Sequence, residues 1–155
     1  MNLTWQINDS EFRAKIAQAD REMTVILRDS VKNACDEGAQ EARDTHQYKD
    51  RSGNLTASID SKLLVSVPDA AMGEMTAKAP YASHVEGGTE PHVILPKNGQ
   101  FLKFNIGGRT VFARKVNHPG TKPHPFMGQA YLKAERVLRR DLEVGVERVK
   151  KIIEG

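Results

Sequence analysis

Apolar or small residues recur at helical spacing near the start of the chain. Successive members lie three or four residues apart, in the order Phe12, Ile16, Ala19, Met23, Ile26, Ser30 and Ala34. This spacing places them on one face of an α-helix. Asn8, with Glu11 three residues later, matches the capping box that starts many helices. The pattern predicts a long helix over residues 8–42, and its narrow small-residue stripe favours close packing against another helix.

The end of the chain carries the same period. Its stripe consists of Met127, Ala130, Ala134, Val137, Leu138, Leu142, Gly145, Val149 and Ile152. Pro125 suits a first helical turn, because its missing N–H would have no partner there. We therefore predict a C-terminal helix over residues 125–154, packed across a sheet and alongside the first helix.

Shorter alternating runs lie between the two helices and predict a sheet region over residues 51–116. The runs cover residues 62–67, 73–79, 92–95, 101–106 and 109–116. The last two flank Gly107 and Gly108, a pair typical of a two-residue hairpin turn. Residues 117–125 contain three Pro and one Gly, which predicts an exposed Pro-rich loop. The pattern favours an α+β fold, in which an antiparallel β-sheet of about four to five strands has one face covered by the helices.

The composition indicates one domain with a small core. The 155 residues fit a single domain over 1–155. Leu, Ile, Val and Phe total 35 of them, close to the level of roughly 20% at which chains stay disordered. We therefore expect a thin core, or one that neighbouring subunits complete. The single Cys35 excludes a disulfide scaffold. The chain has no run of about 18 apolar residues that would predict a membrane span.

The net charge of +3 hides an uneven distribution. Residues 91–134 contain no Asp or Glu and seven basic residues, whereas the rest of the chain has 20 acidic and 16 basic residues. Six of these bases are candidate interface or DNA-channel residues: Lys97, Lys103, Arg109, Arg114, Lys115 and Lys122. Such a stretch suits a polyanion or an acidic protein face. The alternative interpretation is a solvated sheet edge guarded by Lys and Arg.

Few residues suggest catalysis. The best candidates are His84, Glu86, Glu90 and His92, which could ligate a divalent metal and support a small metal-dependent hydrolase. Their spacing matches no strong metal motif. A turn in which Glu86 accepts backbone hydrogen bonds or pairs with a base explains them more simply. We therefore predict no catalytic residue, no metal and no cofactor.

Three segments in a fixed order resemble the motifs of a known family. They are RSGNLTASI at 51–59, APYASHVEGGTEPH at 79–92 and TKPHPFMGQAY at 121–131. The segments are similar to those of the tail-component morphogenesis family of long-tailed bacteriophages, also called tail-completion or head–tail joining proteins. The matching residues are Gly53, Asn54, Leu55, Ser58, Ile59, Tyr81, Ala82, Val85, Glu86, Gly88, Thr89, Pro125, Phe126 and Ala130.

The resemblance implies a structural virion protein of the phage neck and not an enzyme. The chain would be one subunit of a homo-oligomeric ring, expected to be hexameric, that links the tail end to the head connector. Its partners would be the head connector or adaptor and the tail terminator or tail-tube proteins, with genomic DNA passing through the lumen. The protein would lie in the tail or neck of the virion after assembly in the cytoplasm of the host bacterium, without membrane contact.

Two other interpretations stay open. Within the phage class, a head-completion adaptor or a tail terminator is also a small ring former at the same junction. From another class, a nucleic-acid-binding module would use the same basic stretch. The balanced helices, the modest charge of +3 and a lack of interleaved aromatic residues stand against that module.

Overall fold

The computed structural model describes residue 4 and residues 8–50, 52–97 and 99–154. Its elements follow in the order α1 (Ser10–Asp44), α2 (Asn54–Ala57), β1 (Ile59–Val67), β2 (Ala70–Ala77), α3 (Ala82–Gly87), β3 (His92–Ile94), β4 (Leu102–Ile106), β5 (Arg109–Ala113), β6 (Val116–His118) and α4 (Phe126–Glu154). The α+β class, the long N-terminal helix, the C-terminal helix and the antiparallel pairing are confirmed. Both long helices end within two residues of their predicted bounds.

The start of α1 differs slightly from the predicted capping box. Asp9 occupies the N-cap, and its side chain accepts no backbone N–H of the helix. The Asp9 carboxylate instead pairs with Arg13 at 2.7 Å. Asn8 Oδ1 accepts the backbone N–H of Ser10 at 3.1 Å. Asn8 therefore still satisfies a free N–H group at the helix start, one position earlier than a capping box requires.

The helices α1 and α4 pack against each other through small residues. The buried side of α1 consists of Ala19, Ile26, Ser30, Ala34, Gly38, Ala39 and Ala42. The buried side of α4 consists of Phe126, Ala130, Ala134, Val137 and Gly145. A Cβ atom at Gly145 would overlap the side chain of Ile26, and one at Gly38 would lie 2.9 Å from the carbonyl oxygen of Ala130. The small residues thus let the two backbones approach closely, as the sequence predicted.

The hairpin of β1 and β2 lies against α1. Its strands pair antiparallel, starting with Ile59 opposite Ala77. Gly73 lets the hairpin approach the helix, because a Cβ atom there would overlap the sulfur of Cys35. Cys35 therefore lies on the side of α1 that faces β2, where burial raises the pKa of its thiol.

The remaining strands belong to residues 91–124, which we call the basic arm. At its base β3 pairs with β6, so that His92 lies opposite His118 and their rings stack 5.0 Å apart. Further along, β4 pairs with β5 through Gly107 and Gly108, as predicted. The strands of the arm make few contacts with α1 or α4, so the arm is a distinct feature beside the packed helices.

Within the described residues the strands form three separate two-stranded sheets, β1–β2, β3–β6 and β4–β5. The sequence predicted one sheet of about four to five strands. Pro91, Pro96 and Pro119 border β3 and β6, and a residue without an N–H cannot continue a hydrogen-bonded ladder. The segment 117–125 is also not irregular throughout, because its first two residues belong to β6.

The buried core is small. Among the described residues, Leu55 is the largest side chain that is fully buried, and seven of the other eleven buried apolar residues are alanines. Large apolar side chains such as Met72, Ile106, Phe112 and Val144 are exposed instead. This agrees with the thin core expected from the composition. None of the described helices is long and apolar enough to cross a membrane.

Candidate functional site at the motif junction and the basic arm

The three motif segments meet in one buried cluster, which we call the motif junction. It contains Leu55, Ile59, Ala82, Phe126 and Ala130, packed with two alanines of α1. Each motif segment contributes at least one of these side chains, although they span positions 55 to 130 of the chain. Five of the fourteen residues that carry the family resemblance therefore meet in one packed cluster.

The first motif segment forms α2 behind a left-handed turn. Gly53 has a φ of +73°, a conformation that glycine adopts without steric cost, and Asn54 begins the helix. The Asp50 carboxylate accepts the backbone N–H groups of Gly53 at 2.8 Å and Thr56 at 3.0 Å, and the Thr56 hydroxyl at 2.7 Å. These bonds, led by the one from the Thr56 hydroxyl, lower the pKa of Asp50. The sequence motif did not include Asp50, although it holds the turn in place.

Ser58 joins the first motif segment to the second. Its hydroxyl donates to the carbonyl oxygen of Leu55 at 2.8 Å and accepts the backbone N–H of Ala79 at 3.0 Å. Its carbonyl oxygen accepts the N–H of Lys78 at 3.1 Å. The end of α2 is thereby fixed to the chain that leads from β2 into α3.

The second motif segment forms α3. The backbone N–H of Val85 donates to the carbonyl oxygen of Tyr81 at 3.1 Å, so these residues share a helical turn. Ala82 is buried in the motif junction and Val85 packs against it, while Tyr81 is more exposed. The helix stops at Gly87, and Gly88 follows with a φ of +70°.

Glu86 connects α3 to the start of α4. Its Oε2 accepts the backbone N–H of Met127 at 2.9 Å and its Oε1 accepts that of Gly128 at 3.0 Å. The first N–H groups of a helix have no partner inside the helix, and negative charge is favourable beside them. Pro125 lies in this turn, and its carbonyl oxygen accepts the N–H of Gln129 at 3.3 Å. The expectation that Glu86 accepts backbone hydrogen bonds is confirmed.

Two threonines connect the ends of the basic arm. Thr89 and Thr121 exchange both backbone N–H···O hydrogen bonds at 3.0 Å, and their hydroxyl oxygens lie 3.1 Å apart. Gly88 and Gly120 flank this pair with positive φ angles. A Cβ atom at Gly88 would lie 2.5 Å from the carbonyl oxygen of Thr121, and one at Gly120 would overlap that of Thr89. Both the backbone conformation and the available space therefore require glycine here.

Two aromatic residues outside the motifs complete the motif junction. The ring of Tyr48 meets that of Phe126 edge-on, with centroids 5.2 Å apart, and His46 stacks on Tyr48 at 4.1 Å. Burial raises the pKa of Tyr48, and a hydrogen bond with Thr56 opposes this more weakly. No hydrophobic periodicity marks the segment that contains His46 and Tyr48, so their packing in the motif junction could not be predicted from the sequence.

The candidate hydrolase set of His84, Glu86, Glu90 and His92 is not assembled. Within the described parts of the chain, no three His, Cys, Asp or Glu residues lie where they could hold a metal ion together. The Glu86 carboxylate is engaged at the start of α4. His92 Nδ1 bonds with the carbonyl oxygen of Glu90 at 2.8 Å. These contacts give Glu86 and His92 structural roles.

All six candidate basic residues lie in the basic arm and are exposed. Strands β4 and β5 carry two of them, and the other four lie in connecting segments: Lys103, Arg109, Lys97, Arg114, Lys115 and Lys122. Among the described residues, none of the six forms an ion pair with a carboxylate. Their charge is therefore available to a partner outside the chain.

Comparison of the chain with protein-family models, with curated proteins and with solved structures finds no match. The geometry of the motif junction and the basic arm, together with the resemblance of the three motif segments, is therefore the basis for a functional proposal. In physical terms, the junction fixes an exposed, positively charged arm to a pair of packed helices.

Proposed function

We propose that this protein is a structural subunit of the neck of a long-tailed bacteriophage, a ring-forming tail-completion or head–tail joining protein. The observation that carries the proposal is the convergence of the three motif segments at the motif junction. Their residues form its apolar cluster, cap α4 and connect the ends of the basic arm.

Exposed apolar surface supports assembly into a ring. An open groove of about 520 Å³ lies between α1, β2 and α4, and its lining includes Met72, Met75, Met127, Tyr131 and Leu138. Exposed apolar patches of this kind favour association with other protein surfaces. Head-to-tail contacts between identical subunits give a closed ring when the rotation closes. The hexameric state is an expectation from the family resemblance alone.

The basic arm is the proposed contact with the neighbouring components of the neck. Its six exposed basic residues, which form no ion pair among the described residues, suit an acidic face of the head connector, the tail terminator or the tail tube, or the genomic DNA in the lumen. A head-completion adaptor or a tail terminator would use the same features. The proposed role is structural and requires no catalytic residue.

Electron microscopy of particles from a phage that lacks this gene tests the proposal. Finished heads and separate, normal-length tails are the expected result. Overlong tails would instead identify a tail terminator, and normal infectious particles would refute a neck function altogether. Light scattering of the purified chain gives a second test, because a ring requires a mass that is a multiple of 17.2 kDa.

Charge reversal tests the role of the basic arm in joining. The triple variant K97E/K115E/K122E is expected to fold, because these side chains are exposed, and to leave heads and tails separate. The matched control R21E/R136E/K151E reverses three exposed bases on the helices and is expected to support joining. If the arm variant joined heads and tails normally, the assigned contact would be wrong.

A further inference from the structure

The β4–β5 hairpin brings aromatic and basic side chains together on one side, which we call the hairpin face (Phe101, Lys103, Phe112 and Arg114). Lys103 lies directly opposite Phe112 in the antiparallel register. The guanidinium carbon of Arg114 lies 5.6 Å from the ring centroid of Phe101. This pair is therefore the neighbour of the Lys103–Phe112 pair on the same side of the hairpin. Each side of the hairpin therefore contributes one ring and one cation to the same face, with Phe101 just before β4 and Arg114 just after β5.

The hairpin face is open to solvent. Phe101 is 48% exposed and Phe112 is 63% exposed, although both are aromatic. Residues 91–134 contain no carboxylate that could neutralise Lys103 or Arg114. The face therefore suits a partner that carries negative charge and also presents flat, apolar surfaces.

We propose that the hairpin face binds single-stranded nucleic acid. Unpaired nucleobases of the strand stack on Phe101 and Phe112, and Lys103 and Arg114 neutralise the adjacent phosphates. Phe101 and Phe112 are diagonal neighbours across the antiparallel pair, and residues in that relation lie about 7–8 Å apart. Open sheets that bind single strands stack two or three bases on aromatic side chains in this manner.

Residues 101–114 contradict the lack of interleaved aromatic residues that stood against a nucleic-acid-binding module. Aromatic and basic side chains alternate along this segment, in the order Phe101, Lys103, Phe104, Arg109, Phe112 and Arg114. The turn at Gly107 and Gly108 folds β5 back onto β4 and places Phe101 and Phe112 on one face with Lys103 and Arg114.

The aromatic residues favour a single strand over other anionic partners. Duplex nucleic acid offers phosphates but keeps its bases stacked inside, so the two rings would gain no partner. An acidic protein surface would pair with the cations but would not supply successive flat faces. The inference goes beyond the proposed neck function, since a ring can form without nucleic-acid affinity.

The test is a fluorescence anisotropy titration of the purified full chain with fluorescein-labelled oligothymidylate of about 12 nucleotides, within the usual site size of small single-strand-binding folds. We expect saturable binding at about 50 mM salt and weaker binding at about 200 mM, since counterion release lowers affinity as salt rises. The expected slope of log affinity against log salt is about −0.7 for each neutralised phosphate.

Matched variants separate stacking from general charge. Phe101→Ala and Phe112→Ala are each expected to weaken binding at least about fivefold, the lower end of a base–aromatic stack. Ile106→Ala is the control, because Ile106 is 62% exposed on the opposite face of the same hairpin, and it should leave the affinity unchanged. Arg114→Ala should reduce the salt slope by about 0.7, whereas Arg109→Ala, on the opposite face, should not.

Three results would overturn the proposal. One is the absence of saturable binding at the lower salt concentration. Another is binding that both Phe→Ala variants leave unchanged, because it would then reflect charge alone. The third is equal affinity for a duplex of the same length. Circular dichroism confirms that each variant is folded, and light scattering of the same samples reports ring formation separately from nucleic-acid binding.

Discussion

Replacing Glu86 by alanine tests how the motif junction fixes the start of α4. The substitution leaves the N–H groups of Met127 and Gly128 without the carboxylate that accepts them at 2.9 and 3.0 Å. Loss of a helix-capping side chain costs about 0.5–2 kcal/mol, and loss of negative charge beside the helix dipole costs about 0.3–1 kcal/mol. Because Glu86 is half-buried, water replaces the acceptor only in part. We expect the free energy of unfolding to fall by about 2 kcal/mol.

Urea denaturation followed by circular dichroism at the helical band measures this change. The denaturation midpoint should fall with little change in the slope of unfolding free energy against urea. In a thermal scan the same loss corresponds to a melting temperature lower by roughly 4–8 °C for a chain of this length. Glu86→Gln keeps one of the two oxygen acceptors but removes the charge and turns an NH2 group toward the other N–H donor, so it should lose at least about half as much stability.

Glu90 supplies the matched control. Its side chain is exposed, and it forms no ion pair among the described residues. Glu90→Ala should therefore stay within about 0.5 kcal/mol of the wild type. If Glu86→Ala and Glu90→Ala proved equally mild, the hydrogen bonds to α4 would not stabilise the fold and the reasoning would fail.

Three further predictions concern the core, the arm and acid stability. Leu55→Ala should lower the unfolding free energy by about 2–5 kcal/mol in urea, because it empties a fully buried site. Gly88→Ala should cost about 1–3 kcal/mol through its positive φ, and should speed hydrogen exchange in β3 and β6. Asp50→Asn should destabilise the protein at neutral pH but not in strong acid. The pKa of Asp50 is lowered in the folded state, chiefly by the Thr56 hydroxyl, so its stabilisation is present above the unfolded-state value of about 3.9 and is lost as pH falls through the folded-state value.

Each of these predictions has an internal control. Leu64→Ala removes an exposed leucine and should change stability by less than about 0.5 kcal/mol. Gly53→Ala also adds a side chain at positive φ, but into open space, so it should cost less than Gly88→Ala. A stability difference between wild type and Asp50→Asn that persisted unchanged down to pH 2 would contradict the assigned hydrogen bonds.

The sequence predicted the features that depend on local spacing. The stripe from Phe12 to Ala34 located α1, and Gly107 with Gly108 located the β4–β5 turn. Helical period and turn chemistry act over a few residues, so a single chain is enough to read them. The small residues of α1 also predicted its close contact with another helix, which is confirmed at Gly38, where a Cβ atom would lie 2.9 Å from the carbonyl oxygen of Ala130.

The features that the sequence did not predict depend on partners far along the chain. Glu86 was expected to accept backbone hydrogen bonds, but its partners lie 41 and 42 residues away. Tyr48 has no periodic neighbours that mark it as part of a core. The division into three sheets also depends on which strand edges meet, which a pattern of alternation does not encode. The contacts that join Leu55, Ala82 and Phe126 in the motif junction also depend on residues far apart along the chain.

The threonine pair at the base of the arm makes residues 90–120 an insertion in the topological sense. Thr89 and Thr121 stand side by side in the backbone, at the separation that a two-residue turn can bridge. The chain between them can therefore change in length or sequence without altering the path of the helices that follow. The proposed recognition surface can therefore be replaced or lengthened while the motif junction stays the same.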